Sequence, residues 1–354
     1  MYTPDKARIL TDKKLEKLEK KISQIYKKSQ KDIAEKWNKY MSSVEPKLKE
    51  LQEAYEAAKK SGDKALIKET GKALGNKKRD VTLMNDRYKE MLNDTTYRLA
   101  EVNQIALNYV KDELSSIYAI NYNAAKDIAK QVDMSFSIVN ENVVKNLIKN
   151  GDIVLPQMEK RLNFAKDMRW NTKQINSSVL QGIIQGENIN DISKRIFPEI
   201  MSKTDLKGKT EEEIKGIIEK NKQAAKRTAR TLVTGVENQG RLDSYRQLED
   251  DGAVLKKVWK ATGDGRTRDL HLDLDGQEVD INDVFIDGDN NEIKYPGDPS
   301  AAPETVYNCR CTMVTDIIGF RKKDGRIEKI DYDPVSTRHE AEIEKEKEKR
   351  AKEK

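Results

Sequence analysis

Histidine and cysteine are scarce in this chain, two of each among 354 residues. Two thiols cannot make a disulfide framework, and Cys309 and Cys311 lie only two residues apart, so a bridge between them would be badly strained. Reduced thiols and folding in a cytoplasm are expected. Long apolar runs are missing too. None approaches the roughly 20 residues that span a bilayer, and Met1-Tyr2-Thr3-Pro4-Asp5-Lys6 lacks the apolar core of a secretory leader, so no membrane partner is expected. Apolar residues are 36% of the chain and charged residues another 36%, with mean hydropathy −0.85. An average soluble domain is about half apolar and about a quarter charged, so this composition fills helix stripes but not one thick core. No phosphate-binding G-x-x-x-x-G-K-[ST] loop, G-x-G-x-x-G turn or G-x-S-x-G elbow occurs, which removes the usual nucleotide and hydrolase signatures. No repeat of solenoid length is present.

What is present is charge, unevenly placed. The 67 basic and 61 acidic residues mostly mix, but residues 1–100 hold 25 basic and 16 acidic residues, net +9, whereas residues 261–300 hold 3 and 11, net −8. The two regions therefore offer opposite potentials to partners. The length allows two or three domains.

From Thr11 onward, Leu15, Leu18, Ile22, Ile25, Ile33, Trp37 and Tyr40 recur at steps of three and four or their multiples, the stripe of a long helix. Ser43 to Pro46 interrupts it; Leu48, Leu51, Tyr55 and Ala58 resume it until Ser61-Gly62-Asp63, which fits a hairpin of long helices. Val81 to Val132 reads as helix in two or more pieces, and Asn150-Gly151-Asp152 as a break. Shorter amphipathic segments follow at Trp170 to Ile184 and Asn190 to Ile196, with Gly182 and Gly186 marking the turn between them and Asp191 in the first turn of the second. One more helix is expected from Glu211 to about Leu248, with Asn221 or Gly235 as candidate breaks. Composition then changes. Val254 to Trp259 reads as a strand, Thr262 to Arg268 as a loop, Gly276 to Phe285 as strand or turn, and Cys311 to Thr315 as a strand after a proline-rich stretch. The charged residues His339 to Lys354 read as a solvated helix or disorder. The expected fold is mainly α with a small α+β C-terminal domain and an elongated helical N-terminal region. Its divisions are a long-helix region at 1–150, a helical lead-in at 151–250, the α+β domain at 251–335 and a tail at 336–354.

An ordered series within the C-terminal part carries a resemblance. Val258-Trp259-Lys260-Ala261, Asp264, Arg266-Thr267-Arg268, His271, Leu274-Asp275-Gly276, Phe285, Tyr295-Pro296-Gly297-Asp298-Pro299 and Asn308-Cys309-Arg310-Cys311 resemble the signature of the Mu F-like minor head proteins of tailed phages. Ala229 to Tyr245 resembles the helix that precedes this signature, and Trp170 with Gly182, Gly186 and Ile192 resembles the family's helical lead-in, so the likeness covers roughly residues 165–318. One departure is that Thr231-Leu232 stands after Arg230 where a Thr-Glu pair is expected. The resemblance implies a non-enzymatic virion protein, present in few copies inside the phage head and assembled in the bacterial host cytoplasm. It implies contact with the portal protein and with other capsid or scaffold proteins, assistance to procapsid assembly, and involvement in DNA packaging or ejection.

Few residue sets could carry chemistry. His271, Cys309 and Cys311 are the only plausible transition-metal set, because imidazole nitrogen and thiolate sulfur suit Zn²⁺. They supply three ligands, with Asp269, Asp273 or water as a fourth; the plainer alternative is a hydrogen-bonded histidine and two half-buried thiols that knit a loop-rich domain. Asp287-Gly288-Asp289-Asn290-Asn291 begins like a calcium loop, but Glu292 stands where glycine is needed, so a polar turn is expected. Arg266 and Arg268 beside Asp264, Asp269, Asp273 and Asp275 suggest ion pairs before phosphate contact. Lys13, Lys14, Lys20, Lys21, Lys27 and Lys28 recur near helical spacing and could track double-stranded DNA without reading bases, although solvated faces often look the same. Two readings from other classes stand beside the assembly protein. One is a metal-dependent hydrolase or nuclease centred on His271 and the two cysteines, and the other is a non-specific DNA-binding protein. An enzymatic payload would have to follow Ile318, where about 36 mostly charged residues are too few to build one.

Overall fold

A computed structural model describes residues 3–81, 85–153, 169–175, 177, 217–322, 324–332, 335–336 and 348–349. The elements are β1 (Thr3–Pro4), α1 (Lys6–Ser61), α2 (Lys64–Asp80), α3 (Asp86–Asn123), α4 (Ala125–Gln131), α5 (Glu141–Asn150) and α6 (Ile217–Asp250). There follow β2 (Ala253–Lys260), α7 (Asp269–Asp273), β3 (Glu278–Asp280), β4 (Phe285–Ile286), β5 (Glu292–Ile293), α8 (Pro303–Val306), β6 (Thr312–Arg321), β7 (Ile327–Lys329) and β8 (Val335–Ser336). The fold is mainly α with a small α+β portion at its C-terminal side. The chain divides into two compact units, one of residues 1–20, 107–158 and 226–354, the other of residues 21–106 and 159–225.

In the second unit the stripe of α1 is covered. Ile22, Tyr26, Ile33 and Trp37 are buried, as are Tyr88, Leu92 and Leu99 of α3. Trp37 meets Tyr88 edge to face at 6.1 Å and donates its indole N–H to Thr95 Oγ1 at 2.9 Å, so the ring buries its area without stranding its one donor. The Tyr26 hydroxyl bonds the Asn103 side chain, and a buried amide relay continues from Asn103 to Asn221 at 3.1 Å and from Asn221 to Asn171 at 2.9 Å. α2 starts on Asp63, whose carboxylate accepts from the backbone N–H groups of Ala65 and Leu66. The expected interruption at Ser43 to Pro46 does not occur: α1 runs through Pro46 without ending, and the chain turns at Gly62 instead. Pro46 is exposed, so water can serve the carbonyl that its missing N–H leaves free, and the helix tolerates it at an energetic cost.

The first unit holds the α+β portion. β2 and β6 form a long antiparallel ladder from Ala253↔Phe320 to Lys260↔Thr312, with a bulge at Val254/Leu255; β3 and β7 add the two edges, giving the order β3-β2-β6-β7. One face packs Leu255, Met313 and Ile317 against Leu242, Tyr245 and Leu248 of α6 and Ala125, Ile128 and Ala129 of α4. α5 closes on Gly151 at φ 87, whose N–H reaches Ile148 and Leu147 carbonyls, so the break read at Asn150 to Asp152 is a left-handed helix cap. Within the proline-rich stretch the short helix α8 starts with Pro303 at its first position, where a missing N–H costs nothing. Most of the expected segments at Trp170 to Ile184 and all of Asn190 to Ile196, with Gly182, Gly186 and Asp191, lie outside the described residues. So does most of His339 to Lys354.

Candidate metal centre

The C-terminal half of α6 organises the site. Asn238, fully buried, donates its side-chain N–H₂ to the Thr234, Pro296 and Cys311 carbonyls at 2.9, 3.1 and 3.3 Å. Its side-chain oxygen accepts from Met313 N–H at 3.0 Å and Thr312 Oγ1 at 3.2 Å. One amide thus ties the Tyr295-Pro296 turn and the start of β6 to the same helix turn. Thr234 Oγ1 donates to the Cys309 carbonyl at 2.7 Å, and Thr231 Oγ1 accepts from Asn308 N–H at 2.9 Å. Asn308 itself sits at φ 58, a left-handed conformation that asparagine tolerates, and this turns the chain into Cys309-Arg310-Cys311. Gly297, at φ +84, lies against Gly235 of α6: a Cβ added to Gly297 would come within 2.7 Å of the Gly235 backbone nitrogen. Asp298, buried, accepts from Lys294 N–H at 3.0 Å and from Ser300 N–H and Oγ at 2.8 and 2.6 Å, which closes the turn.

These restraints deliver three soft donors to one point. α7, whose first turn follows Arg268, presents His271, and its Nδ1 lies 3.6 Å from Cys309 Sγ and 3.4 Å from Cys311 Sγ. All three donor atoms lie within 4.8 Å of one another, and each residue is about 2% exposed. The hydrogen bond with Cys311, and then His271, hold the Cys309 thiol well below its ordinary range against the opposing effect of burial, and the same bond with burial pushes Cys311 up. Cys311 N–H also points at Cys309 Sγ, at 3.4 Å. Trp259, fully buried at the end of β2, walls the site: its ring stands edge-on to His271 at 5.6 Å and to Phe285 at 5.2 Å. Gly276 (φ +81) returns the chain to this wall, its N–H bonding the Trp259 carbonyl at 2.9 Å. Neither Asp269 nor Asp273 joins the cluster. Both lie away from it, because they flank His271 on the outer side of a five-residue helix whose inner side is taken by His271 and Leu272.

The arginines of the motif divide their tasks. Arg310 grips Asp264 with two bonds of 2.5 and 2.6 Å and so holds that carboxyl well below the usual carboxylate range. Arg266 adds a mostly exposed contact to Asp264 at 3.4 Å, and Arg268 donates to the Tyr307 carbonyl. The ion pairs expected here therefore centre on Asp264, while Asp275 caps the loop by accepting from Ala261 N–H at 2.8 Å. A cavity of about 70 Å³ opens beside the cluster, lined by Thr262, Arg266 and Arg268 together with His271, Cys309 and Cys311. Asp287, by contrast, spends its carboxylate on Asp289 and Asn291 of its own turn.

Sequence reasoning missed a buried ion network that borders this site. Glu237 accepts from Arg8 Nη1 at 2.7 Å and from Thr312 Oγ1 at 3.1 Å; Arg241 Nη2 reaches Asp5 at 2.8 Å; Arg8 Nη2 bonds the Arg310 carbonyl at 2.7 Å. Burial pushes the Glu237 carboxyl upward, opposed by Arg8 and Arg241. Arg230, which drew notice in the sequence only for the residues after it, pairs with Glu19 at 2.5 Å and reaches Asn308 at 3.3 Å. Of the six N-terminal lysines, Lys14 pairs with Glu113 at 2.6 Å and Lys20 with Glu16 at 2.7 Å; Lys13, Lys21, Lys27 and Lys28 are exposed along α1.

Residues 173–314 match the family described as Phage Mu protein F like protein. This region is Mu F-like. It contains the whole cluster, the Asp264–Arg310 pair and the clamp from α6. Over 270 residues, 73% of the chain, the sequence is 25% identical to the minor head protein GP7 of Bacillus phage SPP1, covering 79% of that protein. Over 193 residues, 54% of the chain, it is 26% identical to an NAD(+)–arginine ADP-ribosyltransferase, EFV, of Enterococcus faecalis. The chain spans about a third of that enzyme's length, 35%. No solved structure matches. Among the described residues, no helix is long and apolar enough to cross a membrane.

Proposed function

We propose that the chain is a minor head protein of a tailed phage. It would act inside the head during procapsid assembly, contacting the portal protein and neighbouring capsid or scaffold proteins, with a role in DNA packaging or ejection. The observation that carries this reading is the similarity to the SPP1 minor head protein over most of both chains, joined to a Mu F-like region that holds the clustered site. The site's chemistry supports a scaffold and not a reaction centre. Two cysteine sulfurs and an imidazole tie together loops 38 and 40 residues apart, whereas hydrolytic zinc centres draw mainly on histidine and carboxylate. The similarity to the ADP-ribosyltransferase leaves about two-thirds of that enzyme unmatched, which fits a shared non-catalytic module.

The test is co-expression with the portal, scaffold and major capsid proteins of the same phage, followed by sedimentation of the procapsids. The chain is expected to sediment with them in few copies and to be lost when portal is omitted. Absence from procapsids that contain portal would overturn the head reading, and portal-independent incorporation would overturn the portal contact. Incubation with labelled NAD⁺ and an arginine acceptor is expected to transfer nothing.

A further inference from the structure

We infer that His271 Nδ1, Cys309 Sγ and Cys311 Sγ bind a Zn²⁺ ion, with a solvent-derived fourth ligand in the adjoining 70 Å³ cavity. The inference does not depend on the head-protein reading.

The distances carry it. With bonds of about 2.3 Å to sulfur and about 2.0 Å to nitrogen, a tetrahedral zinc ion separates sulfur from nitrogen by about 3.5 Å. The two Nδ1···Sγ separations are 3.6 and 3.4 Å. A hydrogen-bonded alternative explains only one of them, because a neutral imidazole nitrogen offers one lone pair and two thiols cannot both donate to it along a straight line. Both cysteines are free in the structure, and a disulfide between residues two apart would be badly strained. The Cys311 N–H aimed at Cys309 Sγ, at 3.4 Å, supplies the hydrogen bond that steadies a metal-bound thiolate.

The surroundings fit the same ion. The three donors are buried and rigidly placed: α7 fixes His271, while Thr234 and Asn238 of α6 hold the carbonyls of Cys309 and Cys311. Three ligands leave one tetrahedral position, and the donors share their cavity with Thr262, whose buried hydroxyl has no protein partner among the described residues. That cavity has room for a water molecule, and its guanidinium lining from Arg266 and Arg268 favours hydroxide or another small anion there. The binding energy would enter directly into the stability of the loop between His271 and Cys309.

The full chain, without a histidine tag and kept reduced, tests the inference by elemental analysis and by exchange with Co²⁺. About one Zn²⁺ per chain is expected, and Co²⁺ should give thiolate-to-cobalt charge-transfer absorption with the strong visible bands of a tetrahedral site. A metal-free chain with both thiols reduced and no such absorption would overturn it. The Cys309→Ser, Cys311→Ser variant should lose the charge-transfer band, and its survival there would also overturn the assignment. His271→Ala should keep the band with affinity lowered tenfold or more. Because the wild-type spectrum decides alone, a variant that fails to fold leaves the answer intact.

Discussion

At the scale of single residues, the Mu F-like region is governed by close approaches and buried polar groups. Gly297 combines a left-handed backbone with direct contact on the Gly235 backbone, and neither can absorb a methyl group. Gly297→Ala is therefore expected to destabilise the protein by about 2–4 kcal/mol, read as a lowered denaturation midpoint, whereas the open Gly325→Ala should cost only the left-handed strain of about 1 kcal/mol. Lys257 offers a second test. Its side chain is buried beside Phe285 with its ammonium on the Lys294 carbonyl at 2.8 Å, and burial, helped by Arg246, pushes its pKa down to about 8 from an ordinary 10.5. Between those values the unfolded chain holds a proton that the folded chain has released, so this group makes stability rise with pH from about 8 to about 10.5. Below pH 8 the full cost of a buried cation remains. Lys257→Met should thus stabilise the fold by roughly 1–3 kcal/mol at pH 7, the advantage shrinking toward pH 10.5 in parallel melts. A gain that is constant with pH would show that packing and not charge is responsible. The soft donors were legible because so few exist in the chain. Asn238 and Glu237 were not, since helical periodicity cannot tell a buried amide from an exposed one when its partners arrive about 60 to 75 residues later.

At the scale of elements, the helices followed from their apolar spacing and the strand β2 from its composition, but their limits depended on contacts. Pro46 is the clearest case. A proline shortly after two serines reads as a stop, yet the stripe resumes in phase at Leu48 and Leu51, and tertiary packing on both sides carries α1 past it. Replacing it should show the cost being borne. Pro46→Ala is expected to raise the stability of the α1 and α2 region by about 1–3 kcal/mol, measured as slower amide exchange between residues 42 and 50. Unchanged exchange would mean that the turn is already open around the proline. The short strands resisted sequence reading for a different reason. β3 and β4 were legible only as strand or turn, and β5 and β7 not at all, because each has two or three residues, too few for alternation to register.

At the scale of the whole molecule, charge is the property most open to a partner. The N-terminal hundred residues carry the surplus of nine positive charges, and Lys13, Lys27 and Lys28 are exposed there. If packaged DNA is a partner, affinity should be indifferent to sequence and fall steeply with salt. The variant Lys13→Gln, Lys27→Gln, Lys28→Gln should flatten the slope of log affinity against log salt by about 2–3, at about 0.9 for each phosphate no longer neutralised by a lysine. An unchanged slope would mark these lysines as an ordinary solvated face. Lys14 and Lys20 make poorer probes, because Glu113 and Glu16 already neutralise them.

The pairing of the N-terminal segment with the far end of the chain has a consequence in time. Arg8 donates to the carbonyl of Arg310, 302 residues later, and Thr3 pairs with Val335. At a translation rate of about 5–20 residues per second, Arg8 waits roughly 15–60 s on the ribosome before its acceptor has even been made. The other partners of this segment come earlier, Glu113 for Lys14, then Glu237 for Arg8 and Arg241 for Asp5, but until they too have been made the segment stands open to other molecules. A host or phage protein that binds this segment has its opportunity during synthesis, and loses it once Arg310 has emerged and Arg8 has docked.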